Sequence, residues 1–290
     1  VILRFDNVSK SYGPIRALDG FSFEVQRDEI VAMLGPNGAG KTTALDIALG
    51  LRRPDTGTVR LFGKSPRDVA ARRLLGATPQ ETGFPDALRV GEIVAFAAAH
   101  FERSRADVAR VLGEFALEAL ATRRAGTLSG GQSRRLALAL AFVANPELAV
   151  LDEPTTGLDV ESRHRLWDVV RGAAAGRAIL FSTHNLEEAE AMASRIVVID
   201  RGRMLFDGGA RELRERFGVR HLSYVGPPLE PQPLGMPASV VRENGRTLVT
   251  TGDTDAYVRA LVTSDTQFSE LEISPASLEE AFLTITGAKQ

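Results

Sequence analysis

Apolar and polar positions along this chain fall into short, sharply bounded runs. Residues 2–8 alternate and predict a first strand, and residues 21–25 predict a second. Residues 29–34 form a short apolar run that enters a Gly-rich loop, and residues 42–51 then take helical spacing. Residues 57–62 and 74–79 are further strand-like pieces. From about residue 81 to 127 alanine dominates, and the spacing predicts helices over 90–101 and 105–121. A further helix is expected over 129–144, with Ser129 as its cap. Residues 148–151, 178–181 and 195–199 read as short buried strands separated by helices, which is the βαβ pattern of a mainly parallel sheet.

The texture changes near Phe217-Gly218. A Pro-rich loop covers 227–233, with a strand-like piece at 222–225 before it. A hairpin is predicted over 238–242 and 247–251, with Asn244-Gly245 as its turn. A helix over 256–262, a strand over 269–273 and a last helix from Ser277 complete the pattern. The expected organisation is an α/β domain over 1–216, with a helical insertion at about 82–130, and a small α+β domain over 217–290.

Bulk properties narrow the function classes. The 290 residues are 44% hydrophobic and 25% charged, which suits a globular protein with one large domain and an appendage. A net charge of −2 gives no bulk signal for nucleic acid, and no nucleic-acid partner is expected. Cysteine is absent, so disulfides and thiolate metal sites are excluded. The longest apolar run, 136–144, is ended by Asn145-Pro146 and falls short of the ~20 residues a spanning helix needs. The N-terminal residues alternate like a strand and lack the marks of a signal peptide. Any membrane role is therefore expected to depend on another chain.

Two motifs carry chemistry. Gly35-Pro36-Asn37-Gly38-Ala39-Gly40-Lys41-Thr42-Thr43 fits G-x-x-x-x-G-K-[ST] between a strand and a helix. Glycines let the loop curl with its N–H groups inward, and the helix adds its positive dipole end, so the loop suits phosphate. Lys41 supplies a point charge for the β- and γ-phosphates, and Thr42 is a candidate Mg²⁺ ligand. Asp152 ends the apolar strand 148–151 and Glu153 follows it. One carboxylate can hold Mg²⁺ opposite Thr42, and the other can orient or deprotonate an attacking water.

Between these motifs lies Leu128-Ser129-Gly130-Gly131-Gln132. With this string in that order, residues 2–215 resemble the ATP-binding-cassette (ABC) ATPases, so the expected fold is the P-loop NTPase cassette. The resemblance extends to Tyr12 as the aromatic that stacks on adenine and Gln80 as the Q-loop glutamine, a further Mg²⁺ ligand. It also covers Asp159 in the D-loop and His184 as the switch histidine. It implies that ATP and Mg²⁺ are the cofactors. It implies that two cassettes pair head to tail, with Ser129, Gly130, Gly131 and Gln132 closing the ATP site of the partner. In that scheme Glu153 is the general base, while His184 and Gln80 complete the catalytic set. Ser133 departs from the basic residue usual after the signature.

The closing stretch 275–287 resembles that of ATPases serving ABC-2-type exporters of the drug-resistance and antibiotic-export kind. The resemblance implies a second copy or a paralogous ATPase as one partner and an integral-membrane permease as the other. It places the chain in the cytoplasm, at the inner face of the cell membrane. A surface around Phe84, Val90 and Phe101 is expected to meet the permease. The alternative is a soluble ABC ATPase acting on DNA or ribosomes. Such proteins usually carry two cassettes or a long coiled coil, and this chain has one cassette and no sustained heptads.

Overall fold

Strands β1 (Leu3–Tyr12) and β2 (Ile15–Val25) pair antiparallel in a computed structural model that describes residues 1–78, 83–218, 220–229, 238–251, 253–274 and 277–287. Both run past the segments that alternation predicts. Lys10 pairs with Leu18, Ser11 with Arg16 and Tyr12 with Ile15 in a largely exposed ribbon, where backbone pairing continues without an apolar face to mark it. β3 (Ile30–Leu34) leads through the Gly-rich loop into α1 (Lys41–Ala48). β4 (Thr56–Leu61) then pairs antiparallel with β1, which gives a three-stranded sheet of order β2-β1-β4.

The chain continues through α2 (Val69–Arg72) and β5 (Leu75–Thr78) to α3 (Val90–His100) and α4 (Arg105–Glu114). The helix expected to reach residue 121 stops at Glu114. Ala116 adopts φ +50°, a left-handed geometry that ends the helix and lets Phe115 and Leu117 both be buried. Next come α5 (Gly130–Phe142), β6 (Leu148–Asp152), α6 (Val160–Ala173), β7 (Ala178–Thr183), α7 (Leu186–Met192), β8 (Arg195–Asp200) and β9 (Arg203–Gly208).

The second sheet has the order β5-β6-β7-β3-β8-β9, with β5, β6, β7, β3 and β8 parallel. Every residue of β6 and β7 is buried, as expected for parallel strands covered on both faces. Val31, Met33, Val150, Leu180 and Val197 share one core with Phe5, Phe21 and Phe23, whose ring centroids lie 5.2–5.7 Å apart. Each such side chain contributes about 1.5–3 kcal/mol by burial. This order puts the carboxyl ends of β3, β6 and β7 side by side, where open parallel sheets bind their ligands.

Residues divide into two units, Val1–Asp207 and Gly208–Gln290. The second holds α8 (Ala210–Phe217), β10 (Arg220–Val225), β11 (Ala238–Glu243), β12 (Arg246–Thr251), α9 (Thr254–Thr263), β13 (Ser269–Ser274) and α10 (Leu278–Thr286). The break precedes the change of texture at Phe217 because α8 packs on α10. Antiparallel strands run in the order β11-β12-β10-β13, and Asn244 (φ +49°) with Gly245 (φ +81°) makes the expected turn between β11 and β12. Leu222, Tyr224, Val249, Tyr257 and Leu261 form its core.

Candidate functional site

Backbone proximity explains two glycines of the loop after β3. A Cβ on Gly35 would lie 2.3 Å from the Ile199 carbonyl oxygen, and one on Gly40 would lie 2.3 Å from that of Ala17. Gly40 also adopts φ +109° as the N-cap of α1 and offers no side chain to the helix N–H groups. Those groups are left to an external acceptor, and the helix dipole favours an anion there. Pro36, Asn37, Gly38 and Thr42 are exposed, Thr43 is half-buried and Ala39 is buried.

Lys41 is 6% exposed. Its Nζ donates to the carbonyl oxygens of Gly35 at 2.7 Å and Pro36 at 3.1 Å, and lies 3.7 Å from Glu153 Oε1. Burial pushes the Lys41 ammonium below its ordinary pKa, while the carboxylates of Glu153 and Asp152 oppose the shift.

Asp152 and Glu153 leave the end of β6 in different directions. Asp152 is buried and its Oδ1 accepts from the Ser182 hydroxyl on β7. The same hydroxyl accepts from the Glu153 N–H at 2.9 Å. Glu153 itself has φ +44°, a left-handed conformation uncommon outside glycine. Its Oε2 accepts from the Thr156 hydroxyl at 2.9 Å, and its Oε1 lies 3.3 Å from His184 Nδ1. Burial works to raise the Glu153 pKa, but Thr156, His184 and Lys41 together hold it below the ordinary carboxylate value. Ser182 is not among the residues expected from the sequence, although a hydroxyl inside an otherwise apolar buried strand is a visible signal.

The signature and the D-loop residue form a second group. Ser129 caps α5 by accepting from the Gln132 N–H at 3.3 Å, and Gln132 Oε1 accepts from the Ser129 N–H at 3.0 Å. Asp159 caps α6, accepting from the N–H and hydroxyl of Ser162, each at 2.8 Å. A Cβ on Gly131 would stand 3.4 Å from that Ser162 hydroxyl, so the two caps are neighbours. Gly130 is exposed. Among the described residues no hydrogen bond or ion pair joins Ser129, Gly131 or Gln132 to the group around Lys41.

Tyr12 ends β1 with 41% of its surface exposed, and Lys10 Nζ lies 5.7 Å from its ring centroid. Gln80 lies outside the described residues. Val90, expected on a docking surface, is fully buried in the first turn of α3 and cannot serve there. Phe84 and Phe101 are half-buried.

Comparison with known proteins agrees with the motifs. The "ABC transporter" family profile matches residues 18–156. The Nod factor export ATP-binding protein I of Burkholderia thailandensis is 39% identical over 295 residues, covering 98% of this chain and 96% of that protein. The chain belongs to the ABC transporter ATP-binding family. The protein of the same name from Mesorhizobium japonicum is 36% identical, covering 99% of this chain and 87% of its own length. Among solved structures, an ATP-binding subunit of an ABC transporter is 30% identical with a TM-score of 0.67, over 75% of this chain and 93% of the other. A dimeric cassette in a post-hydrolysis state with ADP and Pi is 25% identical with a TM-score of 0.63, over 71% of this chain and 98% of the other. The α/β cassette expected from the sequence is therefore the fold found, and this cassette is an ATP-binding ATPase. No helix among its described residues is long and apolar enough to cross a membrane.

Proposed function

We propose that this cassette is the ATPase subunit of an ABC-2-type exporter and works as an ATP-bridged, head-to-tail pair at the cytoplasmic face of a membrane permease. One observation carries the reading. Glu153 Oε1 lies within 3.7 Å of Lys41 Nζ and 3.3 Å of His184 Nδ1, where β3, β6 and β7 end together. A phosphate-binding cation, a candidate base and a histidine thus face one point. Full-length similarity to export ATP-binding proteins supports the exporter part.

In this reading the loop N–H groups and Lys41 hold the phosphates, and Tyr12 stacks on the adenine. Glu153, ionised, accepts the proton of the attacking water, and His184 contacts the γ-phosphate and orients Glu153. Ser129 and Gly131 complete the site of the partner copy, beside Asp159. Mg²⁺ fits the donors present, because Ser182 takes Oδ1 of Asp152, no donor to Oδ2 is found among the described residues, and Thr42 is exposed. Thr42, Asp152 and Gln80 would hold it, and bound there it neutralises phosphate charge. The unit Gly208–Gln290 is an accessory domain.

A cleft of about 840 Å³ lined by Leu49, Leu51, Val69, Leu75, His100 and Phe101 is the proposed seat of the permease. Leu51 is 62% and Val69 70% exposed there. The chain has no cysteine, so Val69→Cys gives a unique cross-linking site. Failure to capture an integral-membrane protein from native membranes would count against the cleft. The central test is Glu153→Gln and Lys41→Ala. Glu153→Gln should abolish turnover and accumulate an ATP-bound dimer by light scattering, and Lys41→Ala should weaken ATP binding. Unchanged hydrolysis by Glu153→Gln overturns the assignment of the base.

A further inference from the structure

A buried carboxylate outside all the motifs links the segments that carry the site. Glu188, on α7, is 3% exposed. Its Oε1 accepts from the Thr155 hydroxyl and lies 3.3 Å from Arg163 Nε, and its Oε2 accepts from the Thr183 hydroxyl at 2.9 Å. Thr155 and Thr183 are themselves buried, at 5% and 3% exposure. Each partner stands next to a different functional residue. Thr155 follows Glu153 by two positions, Thr183 directly precedes His184, and Arg163 lies one helical turn beyond Asp159.

The peptide around His184 is held from both sides. The Thr183 hydroxyl donates to Glu188 and accepts from the Asn185 N–H at 2.9 Å, and Asn185 Oδ1 accepts from the Glu188 N–H at 3.3 Å. His184 therefore projects from a closed ring of hydrogen bonds, while its own ring remains exposed toward Glu153. A carboxylate is tolerated at this depth only when its oxygens are paired, so the three segments cannot separate without stranding a buried charge.

We infer that Glu188 is a positioning residue for ATP hydrolysis, fixing the segments of Glu153, His184 and Asp159 relative to one another. The inference rests on the roles proposed above for those three residues. Glu188 touches no reacting atom. It acts by holding the base and the histidine in register, and sub-ångström loss of register is costly in reactions that depend on alignment.

The test uses the full chain and steady-state ATP hydrolysis well below its melting temperature. Glu188→Gln keeps the side-chain volume and removes the charge that faces Arg163. It should lower kcat on the order of 10- to 100-fold and leave KM for ATP within about two-fold, the split expected when alignment rather than binding is lost. Thr183→Val and Thr155→Val each remove one hydroxyl and should show a smaller fall with the same split. Glu187→Gln, on the exposed side of α7, should match the wild type. A Glu188→Gln protein that melts earlier but keeps wild-type kcat overturns the proposal, as does a raised KM at unchanged kcat. If Glu188→Gln does not fold, Thr183→Val decides, and an unchanged kcat there is equally fatal. Failure of the underlying reading is separately visible, because Glu153→Gln would then retain turnover whatever Glu188 does.

Discussion

Glu153→Gln should tighten the binding of ADP, even though it is expected to abolish hydrolysis. Lys41 Nζ lies 3.7 Å from Glu153 Oε1, and both side chains are nearly buried, at 6% and 11% exposure. At an effective dielectric of 20, a unit pair at that distance attracts by about 4.5 kcal/mol before desolvation is counted. Much of that is cancelled, since charge-assisted contacts contribute only about 1.5–3 kcal/mol net. The separation exceeds hydrogen-bond length, so about 1–2 kcal/mol is a fair share for this pair. A β-phosphate that draws on Lys41 competes with Glu153 for the same ammonium, and Glu153 also repels the phosphate. The neutral amide introduced by Glu153→Gln removes both effects. The expected gain is roughly 5- to 30-fold in Kd. ADP with a chelator is the right ligand, because without a γ-phosphate the reading does not couple binding to dimer closure. Titration calorimetry reads the ratio directly. Thr156→Val is the control, since it removes a neutral hydrogen bond to Glu153 but keeps the charge, and it should leave Kd near the wild-type value. Equal or weaker ADP binding by Glu153→Gln would refute the competition between Glu153 and phosphate for Lys41.

Gly40→Ala should destabilise the chain by at least about 1–3 kcal/mol from backbone strain alone, because φ is +109° and the new Cβ meets the Ala17 carbonyl oxygen at 2.3 Å. Thermal melting checks this, and an unchanged Tm would contradict the loop geometry. The folded Glu153 carboxyl is held below its ordinary value of 4.5, so its contribution to stability is complete above that pH and is lost only as pH falls through the folded value. The difference in unfolding free energy between wild type and Glu153→Gln should therefore still be present at about pH 5 and shrink as pH falls below that. A difference that closes near neutral pH in urea titrations would show the shift to have the opposite sign.

From residue chemistry alone the legible motifs are those whose function is local, whereas Ser129, Gly131 and His184 stand out only through resemblance to a family. The Gly-rich loop needs its spacing because backbone and helix N-terminus must meet one phosphate, and all those groups lie within nine consecutive residues. The buried strands β6 and β7 are equally legible, because parallel strands covered on both faces read as continuous apolar runs. Residues whose role depends on distant partners are not. Ser182 joins Asp152 and Glu153 across two strands, and Glu188 joins three segments, yet neither stands in a local pattern that says so. The outer halves of β1 and β2 leave no trace in the pattern because an exposed ribbon needs no alternation. The end of α4 is hidden because alanine at 116 favours a helix locally, while burying both Phe115 and Leu117 requires a left-handed residue between them. Val90 misleads for a related reason, since an apolar residue at a helix start serves a core as readily as a surface.

The groups assigned to nucleotide in the proposed function are largely partnered within the chain. Lys41 donates to two carbonyls of its own loop, Ser129 is engaged with Gln132, and Asp159 with Ser162. For these side chains binding on this reading is an exchange of partners, and only the uncapped N–H groups that open α1 offer open valences. Each neutral hydrogen bond contributes about 0.5–1.5 kcal/mol net, and one to a charged group about twice that. Replacing a carbonyl or amide partner by a phosphate oxygen then gains only on the order of 1 kcal/mol per contact. Closure of a dimer must therefore be assembled from many such exchanges made at once, across the Gly-rich loop of one copy and the signature of the other. Losing the γ-phosphate deletes several of them together, and the signature falls back on its own cap. A site built from internally satisfied groups can thus be opened by a single hydrolytic event, whereas one built from stranded buried charges would hold its product.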